Sequence, residues 1–290
     1  MSLPLRTISE IQARFQLHPA IKEIYVEGSF DKDLYKWVLK NIGKNSVKVY
    51  SISTVDVGKD LLEKYELSSG ERQRVIAFSK EIAITDQITK QLMSIIDADC
   101  DHALGIEHNC TLLQTTNGTS SELLFWNTAF LEKFFEQAIG SDAPSIEVQK
   151  LLVTLEPIVL KAFVVRAAIC SLKFNWSIIA IDDEINRKKA FVFAEYVEKV
   201  FNKNAASKEQ RADFNKKISA LEEKLLKLEA PKKIHGHDFI AAFCKILLNS
   251  GIDKKFLKEH LEVGRLFFLA LEWNFVKDDS LLKSIDAFAS

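Results

Sequence analysis

Two apolar runs in this 290-residue chain end in carboxylates, and the two ends lie seventy positions apart. The first run, Ile24-Tyr25-Val26, is followed by Glu27. The second run, Met93–Ile96, is followed by Asp97 and Asp99. Clustered carboxylates repel each other unless a cation joins them. If the two runs are neighbouring strands, the three carboxylates predict a site for Mg²⁺ or Mn²⁺ that acts on phosphates.

Hydrolysis of a phosphodiester needs a positioned water and relief of charge on the leaving oxygen, and one or two magnesium ions supply both. We expect Asp97 and Asp99 to be direct metal ligands. Glu27 is expected to be a further ligand, or the general base that takes a proton from the water. These three carboxylates are the predicted catalytic residues.

Several other kinds of site share the D-x-D spacing of Asp97 and Asp99. A calcium-binding EF-hand loop needs glycine at its sixth position and glutamate at its twelfth, where this chain has His102 and His108. A Walker B aspartate needs an upstream phosphate-binding loop, which the sequence lacks. Two functions stay open beside a nuclease. One is a phosphatase or nucleotide hydrolase on the same carboxylates, and the other is a non-catalytic partner-binding module.

The elements that would position these carboxylates alternate between strands and helices up to about residue 130. The predicted strands are Ile21–Glu27, Val47–Ser53, Met93–Ile96 and Cys110–Thr115. The predicted helices between and after them are Asp31–Ile42, Lys59–Tyr65, Glu71–Ile84 and Thr119–Phe135. Strands separated by helices imply an α/β fold with a mostly parallel sheet. Ligands of such sheets bind beyond the carboxyl ends of the strands, which is where the three carboxylates should lie.

The sequence changes character at the break Gly140–Ser145. We therefore expect a metal-binding domain of residues 1–138, followed by a mainly α-helical domain of residues 139–290 for dimerisation or for substrate or partner binding. Its predicted helices are Ile146–Phe174, Asp183–Phe201, Ser207–Glu229, Asp238–Leu248, Lys254–His260 and Ser280–Phe288. Apolar residues repeat at heptad spacing from Phe214 to Leu228. The repeat is typical of a helix packed on the domain core or of a dimer seam, and both stay open.

The composition limits the class of protein. Hydrophobic residues make up 47% of the chain and charged residues 27%, as in a soluble globular protein. The formal net charge of −1 excludes a surface that is strongly basic throughout. The four cysteines include no C-x-x-C pair, which argues against a zinc knuckle, and they are too few for a disulfide scaffold.

The chain carries no sequence signal for a membrane or for export. Its N-terminus lacks the basic and then apolar pattern of a signal peptide. Its most apolar stretch, Leu151–Phe174, is interrupted by charged residues and a proline, so it predicts a buried helix and not a membrane span. A cytoplasmic location is the expectation.

A glutamate at one strand end and a D-x-D at a later one resemble the TOPRIM fold, which topoisomerases, primases and OLD-type nucleases share. In that fold the glutamate and the D-x-D together bind magnesium. Glu27 matches the glutamate, and Asp97 and Asp99 match the D-x-D. The resemblance covers about the first 130 residues. It implies a TOPRIM-like, mostly parallel sheet flanked by helices, with an insertion between the two motifs.

The string Val26-Glu27-Gly28-x-x-Asp31 is most similar to the OLD-like branch of this fold. That resemblance implies metal support from Asp31 and from Glu122, which begins the helix after the D-x-D region. Each residue also has a structural alternative. Asp31 fits a helix cap, and Thr119-x-x-Glu122 fits a capping box. Metal support and helix capping both stay open for Asp31 and for Glu122.

A TOPRIM-like first half, a helical second half and the segment Ile234–Asp238 are together similar to the TOPRIM-like effector nucleases of bacterial anti-phage systems such as PARIS. This resemblance implies a toxic effector that an ABC-type ATPase partner, AriA in that system, holds inactive. The released effector would act as an endoribonuclease on host tRNA. It also implies a homodimer as the active form.

Two histidines in that segment, His235 and His237, are candidates for substrate contact or proton transfer. A structural role is the alternative, with Asp238 as the cap of the following helix. Zinc binding would need further ligands, because histidines two positions apart on a strand point in opposite directions.

Basic residues outnumber acids between Phe201 and Lys233. We expect Lys216, Lys217 and Lys224 in this stretch to contact the phosphates of a nucleic acid. A solvated helix face, on which lysines alternate with glutamates, explains the same pattern.

Overall fold

The computed structural model of this protein describes residues 4–84, 88, 90–140, 147–186, 190–252 and 254–290. The chain forms two compact units. The first consists of Met1–Ala98, Glu107–Asn117 and Val276–Ser290, and the second of Asp99–Ile106 and Gly118–Phe275. The fold class is α/β, with a helical C-terminal part.

Helices and strands alternate up to Thr115, and the elements described after that residue are helical. The strands are β1 (Glu23–Val26), β2 (Lys48–Ser51), β3 (Leu92–Ile96) and β4 (Leu113–Thr115). The helices are α1 (Ile8–Leu17), α2 (Ser29–Asn41), α3 (Lys59–Lys64), α4 (Glu71–Ala83), α5 (Asp101–Leu104), α6 (Thr128–Phe134), α7 (Val148–Leu172), α8 (Phe193–Lys203), α9 (Lys208–Leu225), α10 (Gly236–Asn249), α11 (His260–Ala270), α12 (Trp273–Val276) and α13 (Ser280–Ala289).

The first unit is built on a parallel sheet with the strand order β2-β1-β3-β4. Val26 at the end of β1 is in register with Ser51 of β2 on one side and Ile95 of β3 on the other. The carboxyl ends of these three strands therefore lie at one edge of the sheet. The four predicted strands and their parallel arrangement are confirmed.

A partly buried ion pair lies at the start of β1, the strand that Glu27 follows. Glu23 is fully buried, and its Oε1 lies 2.8 Å from Nη2 of Arg14 on α1. Its Oε2 accepts a hydrogen bond of 2.7 Å from the hydroxyl of Tyr25. Burial raises the pKa of Tyr25, so the phenol stays a donor. A buried charge needs such partners, because an unpaired one is costly.

The helix α13 at the end of the chain belongs to the first unit and packs on α2. Lys22 Nζ donates a hydrogen bond of 2.7 Å to the carbonyl of Phe288. Asn117 Nδ2 donates one of 2.7 Å to Oδ2 of Asp279, the residue that caps α13. The predicted helix Ser280–Phe288 is therefore present, but it lies with the sheet and not with the other C-terminal helices.

The second unit has an aromatic core to which Phe125, Phe130 and Phe134 contribute. The rings of these three residues contact Phe267 of α11 edge-on, at centroid distances of 5.3, 5.3 and 4.6 Å. Phe134 also packs on Phe243 of α10. This aromatic segment therefore belongs to the second compact unit, because its rings are buried among the helices of that unit. The predicted domain division at residue 138 stays a prediction.

The segment predicted as one helix, Thr119–Phe135, consists of several short turns. Ser121–Phe125 is a 3₁₀ helix, α6 follows, and Phe135–Ile139 is a π-helical turn. The interruption lies at Asn127, whose side chain accepts a hydrogen bond of 3.1 Å from the Phe130 N–H and so begins a new helix. The predicted break after Gly140 and the predicted helix start at Ile146 lie outside the described residues.

Four of the five residues of the heptad repeat lie on α9 and are buried within the second unit, while the fifth, Leu228, follows the helix and is half-buried. Phe214, Ile218, Leu221 and Leu225 are all at most 6% exposed, and α9 packs along α7. The repeat is thus a core face of this helix, and these four side chains do not form a dimer surface. No helix in the described part of the chain is long and apolar enough to span a membrane.

Candidate functional site

Glu27 and Asp97 follow two neighbouring strands of the first unit. The strands β1 and β3 are buried along their whole length, and both carboxylate residues are partly exposed at their ends. Glu27 Oε1 accepts a hydrogen bond of 2.8 Å from the backbone N–H of Asp97. The structure thus brings two of the three predicted catalytic residues together at the carboxyl edge of the sheet.

Side chains from β2 and α4 hold these two strand ends. The hydroxyl of Ser51 donates a hydrogen bond of 3.0 Å to the carbonyl of Glu27. Arg72 Nε donates one of 3.0 Å to the carbonyl of Asp97, and its Nη2 lies 3.4 Å from Nε2 of His108. A fixed positive charge therefore lies beside Asp97. Arg72 was not predicted as a site residue from the sequence. A cation in the first turn of a helix is unfavourable because it opposes the helix dipole, and that position could have indicated a functional role.

Asp31 lies in the first turn of α2. Its Oδ2 accepts a hydrogen bond of 3.2 Å from the backbone N–H of Gly28, the residue before the helix. The helix-cap alternative describes this contact. A carboxylate has further lone pairs, so metal support from Asp31 stays a prediction.

Asp99 belongs to the second unit, which begins at this residue. Its backbone has a φ of 45°, in the left-handed region that few residues other than glycine adopt. Its N–H donates a hydrogen bond of 2.7 Å to the carbonyl of Thr119, and the Thr119 hydroxyl donates to the carbonyl of Ile234. Backbone strain of this kind is often found at functional sites and persists only where the surroundings enforce it.

Glu122 pairs with His237 instead of closing a capping box. The hydroxyl of Thr119 is bonded to Ile234, so it does not cap the turn that contains Glu122. Glu122 Oε1 lies 3.1 Å from His237 Nε2, with the glutamate side chain 14% exposed and the histidine side chain 75% exposed. Burial acts to raise the pKa of Glu122, but the contact with His237 is the main opposing effect, and the pKa is lowered overall. The same contact raises the pKa of His237.

Asp238 is an ion-pair partner and not the cap of α10. The helix begins two residues earlier, at Gly236. Asp238 accepts two hydrogen bonds from Arg166 of α7, of 2.6 Å from Nε and 2.7 Å from Nη2. The aspartate side chain is 7% exposed and the arginine side chain 26%. This two-pronged pair joins α10 to α7 and orients the histidine segment before it.

A close backbone approach explains the glycine between the two histidines. A Cβ atom at Gly236 would overlap the Ser120 hydroxyl and lie 2.9 Å from Cβ of Glu122. No larger residue fits there without moving the turn that carries Glu122. Gly236 therefore sets the distance over which Glu122 reaches His237.

His235 is half-buried, and its Nδ1 atom is shielded from solvent. Its Nδ1 has no hydrogen-bond partner among the described residues, and burial lowers its pKa to about 4. Its ring meets the ring of His237 edge-on, at a centroid distance of 5.3 Å. A neutral imidazole with a shielded Nδ1 favours the structural alternative for His235.

The stability of the protein should fall in mild acid because of His235. The unfolded chain takes up a proton on this imidazole below about pH 6.5, whereas the folded chain does so only near pH 4. The stability contributed by the neutral ring is present above the unfolded pKa and is lost as pH falls through this window. We expect a loss of about 2 kcal/mol between pH 7 and pH 5 from this group.

Urea unfolding at these two pH values measures the effect. A His235→Gln variant should show a loss smaller by that amount, while His18→Gln, at an exposed site, should behave as the parent. An equal pH dependence in the parent and in His235→Gln would contradict a ring that stays neutral in the folded chain.

A magnesium or manganese ion needs fewer side-chain ligands than zinc does. The described residues contain no group of three or more His, Cys, Asp or Glu side chains placed to hold a metal ion, so the predicted set of three carboxylates does not form a preformed cage. Mg²⁺ is usually held by one or two carboxylates, with waters and substrate phosphates completing its shell. Glu27 and Asp97 provide such a pair, while zinc would need more side-chain ligands.

The three predicted phosphate-binding lysines lie on or beside α9. Lys216 and Lys224 are exposed, and Lys217 is half-buried. Nearby basic residues form ion pairs with acidic ones. Lys227 lies 3.5 Å from Glu223, and the other pairs are Arg211 with Glu198, Lys161 with Glu222, and Lys232 with Glu229. The surface of α9 is thus mixed in charge, as the alternative reading of its sequence predicts.

No known protein family matches the chain, and no curated protein is similar enough to count as a relative.

Proposed function

We propose that this protein is a metal-dependent nuclease. The observation that carries the proposal is the hydrogen bond between the Glu27 carboxylate and the Asp97 backbone, at the carboxyl ends of two adjacent parallel strands. Ligands of parallel sheets bind at this edge. This carboxylate pair, together with the guanidinium of Arg72 at the Asp97 carbonyl, suits a divalent cation and a phosphate group.

Glu27 and Asp97 would hold Mg²⁺ or Mn²⁺, and a role for Asp99 as a further ligand stays a prediction of the motif resemblance. When bound, such an ion neutralises charge on the phosphate and lowers the pKa of a bound water. Ser51 and Arg72 keep the backbones of Glu27 and Asp97 in place through their carbonyl groups. Arg72 would also attract the phosphate as a fixed cation.

His237 is the proposed substrate contact of the second unit. Its hydrogen bond with Glu122 raises the pKa of the imidazole, so the positively charged form is favoured on an exposed ring. A cationic donor suits a phosphate oxygen. In this proposal Glu122 keeps a proton on Nε2 of His237. Support of a metal ion by Glu122 is implied only by the motif resemblance.

The finer proposal is a TOPRIM-like nuclease of the OLD-like branch. Its motifs resemble those of AriB, the effector of the PARIS anti-phage system. By that resemblance the protein would be a toxic endoribonuclease that cleaves host tRNA after release from an ABC-type ATPase partner. A homodimer would be the active form, formed through a surface other than the buried heptad face of α9.

Metal binding can be tested without any assay of activity. Free Mn²⁺ gives an electron paramagnetic resonance signal that is lost on binding, so titration of the full chain yields a dissociation constant. We expect Glu27→Gln and Asp97→Asn each to weaken Mn²⁺ binding by about 10- to 100-fold. The control Glu63→Gln removes the same charge from an exposed position on α3 and should bind as the parent. Equal binding by all four proteins would contradict the proposed site.

A further inference from the structure

A line of lysines lies in the first unit, away from the carboxylate pair. From α2 to the start of β2 a lysine recurs every fourth residue, at Lys32, Lys36, Lys40, Lys44 and Lys48. Residues four apart share one face of a helix, so the first three form a stripe along α2. Lys36, Lys40 and Lys48 are exposed.

Three of these lysines line a groove between α2 and β2. The groove has a volume of about 380 Å³, and Lys36, Lys40 and Lys48 form part of its wall. The rest of the lining is apolar or uncharged, namely Leu39, Asn45, Val47, Val49 and Tyr50. The lining therefore carries three ammonium groups and no carboxylate.

The charge of this groove is not neutralised within the described part of the chain, where none of the three lysines takes part in an ion pair. The surface of α9 differs, because Lys227 and Arg211 there face Glu223 and Glu198. A chain with a net charge of −1 thus concentrates unbalanced positive charge at the groove. Such a cluster favours an anionic ligand.

Protection of the sheet edge is the structural alternative for Lys48. The strand β2 is the edge of the sheet, and edge strands often carry lysines that prevent pairing with another chain. That explanation does not extend to Lys36 and Lys40, which lie on a helix. Like charges four residues apart weaken a helix, so stability alone does not favour this pair.

We propose that the groove between α2 and β2 binds the phosphate backbone of the nucleic acid that the enzyme cleaves. This inference rests on the proposed nuclease function and deepens it by assigning a substrate-binding surface. Lysines four apart on a helix are separated by about 6 Å along its axis, which suits successive phosphates of an extended strand. Lysines bind phosphates as point charges, so this contact would position the strand without reading its sequence.

The test compares two triple variants of the full chain, both made in the Glu27→Gln background to prevent cleavage. The groove variant carries Lys36→Gln, Lys40→Gln and Lys48→Gln. The control variant changes three other exposed lysines, Lys59→Gln, Lys150→Gln and Lys255→Gln, and so removes the same net charge. Fluorescence anisotropy with a labelled tRNA transcript and a labelled poly(U) strand measures affinity across a range of salt concentrations.

We expect the groove variant to bind both strands about tenfold or more weakly than its parent at moderate salt. The slope of log affinity against log salt concentration should become shallower by about 2, because three phosphate contacts to a single strand are lost. The control variant should keep most of the affinity and slope of the parent. A groove variant with unchanged affinity and slope would overturn the inference.

Cleavage by the same triple variants with Glu27 restored separates this inference from the proposed function. Cleavage in the parent, together with unchanged binding and cleavage in the groove variant, would overturn the inference and support the nuclease. Binding through the groove without cleavage by the parent in any divalent metal would support the groove and overturn the nuclease. Displacement of RNA by poly-glutamate at equal charge concentration would assign the groove to an acidic protein chain instead and overturn the inference.

Discussion

Replacement of Glu27 by glutamine should lower the rate of metal-dependent RNA cleavage by about 10² to 10⁴-fold, whether Glu27 is the general base or a metal ligand. The glutamine removes the charge and the basicity of the carboxylate. It keeps an oxygen that can accept the N–H of Asp97, the contact of 2.8 Å that joins the two strand ends. The fold should therefore survive, with a melting temperature close to that of the parent.

Single-turnover cleavage of a labelled tRNA in Mg²⁺ measures the rate, and circular dichroism measures the melting temperature. Glu63→Gln provides the matched control, because it makes the same chemical change at an exposed position of the first unit. If Glu27→Gln cleaved as fast as the parent, the assignment of Glu27 to catalysis would be wrong. A large fall in melting temperature with the loss of cleavage would point to a structural role instead.

Replacement of Asp238 by asparagine should lower the free energy of unfolding by about 3 to 5 kcal/mol. The aspartate is almost completely buried and forms two short hydrogen bonds with Arg166. Without its charge, the arginine is left unpaired in a largely buried position, and that is the costly part of the change. A loss of this size in the free energy of unfolding would assign Asp238 a structural role, whatever its effect on substrate binding.

Urea unfolding of the full chain, followed by tryptophan fluorescence, measures this change. The exposed pair Lys150–Glu147 is the control, and Glu147→Gln should cost less than about 1 kcal/mol. A double variant, Arg166→Met with Asp238→Leu, should be more stable than Asp238→Asn, because both buried charges are then removed together. Equal stability of Asp238→Asn and the parent would show that the pair contributes little to the fold.

The sheet could be predicted from the sequence because each strand is a short apolar run with a clear end. The runs before Glu27 and Asp97 are buried on both faces, which is typical of central parallel strands, and their neighbours in the chain are helices. Parallel strands begin at one edge and end at the other. The meeting of Glu27 with Asp97 follows from that rule, and it did not require knowledge of any side-chain contact.

Some helices carried signals that were overlooked or weak. The helix α1 was not predicted, although Thr7 and Glu10 form a capping box with hydrogen bonds of 3.2 and 2.7 Å. The helix α11 was also not predicted, because Gly264 interrupts its pattern. In the predicted helix Asp183–Phe201 only the part from Phe193 onward is an α-helix, and residues 187–189 lie outside the described part of the chain.

Contacts between distant residues could not be predicted from local pattern. Asp238 fits the position of a helix cap, and only its pairing with Arg166, seventy-two positions earlier, shows its role. Arg72 meets Asp97 across twenty-five positions in the same way. The contacts of Phe125, Phe130 and Phe134 with Phe267, more than a hundred positions later, are a third example, and no local pattern indicates them.

The proposed metal-dependent nuclease activity is tested most directly by a titration of the full chain with Mg²⁺ and Mn²⁺ against three substrates: tRNA, DNA and a generic phosphoester. We expect tRNA to be cleaved only when one of the two ions is present, and we expect cleavage to be nearly abolished in Glu27→Gln and Asp97→Asn. Hydrolysis of the phosphoester with both nucleic acids left intact would contradict the nuclease, and so would cleavage of tRNA that persists after the metal is removed by a chelator.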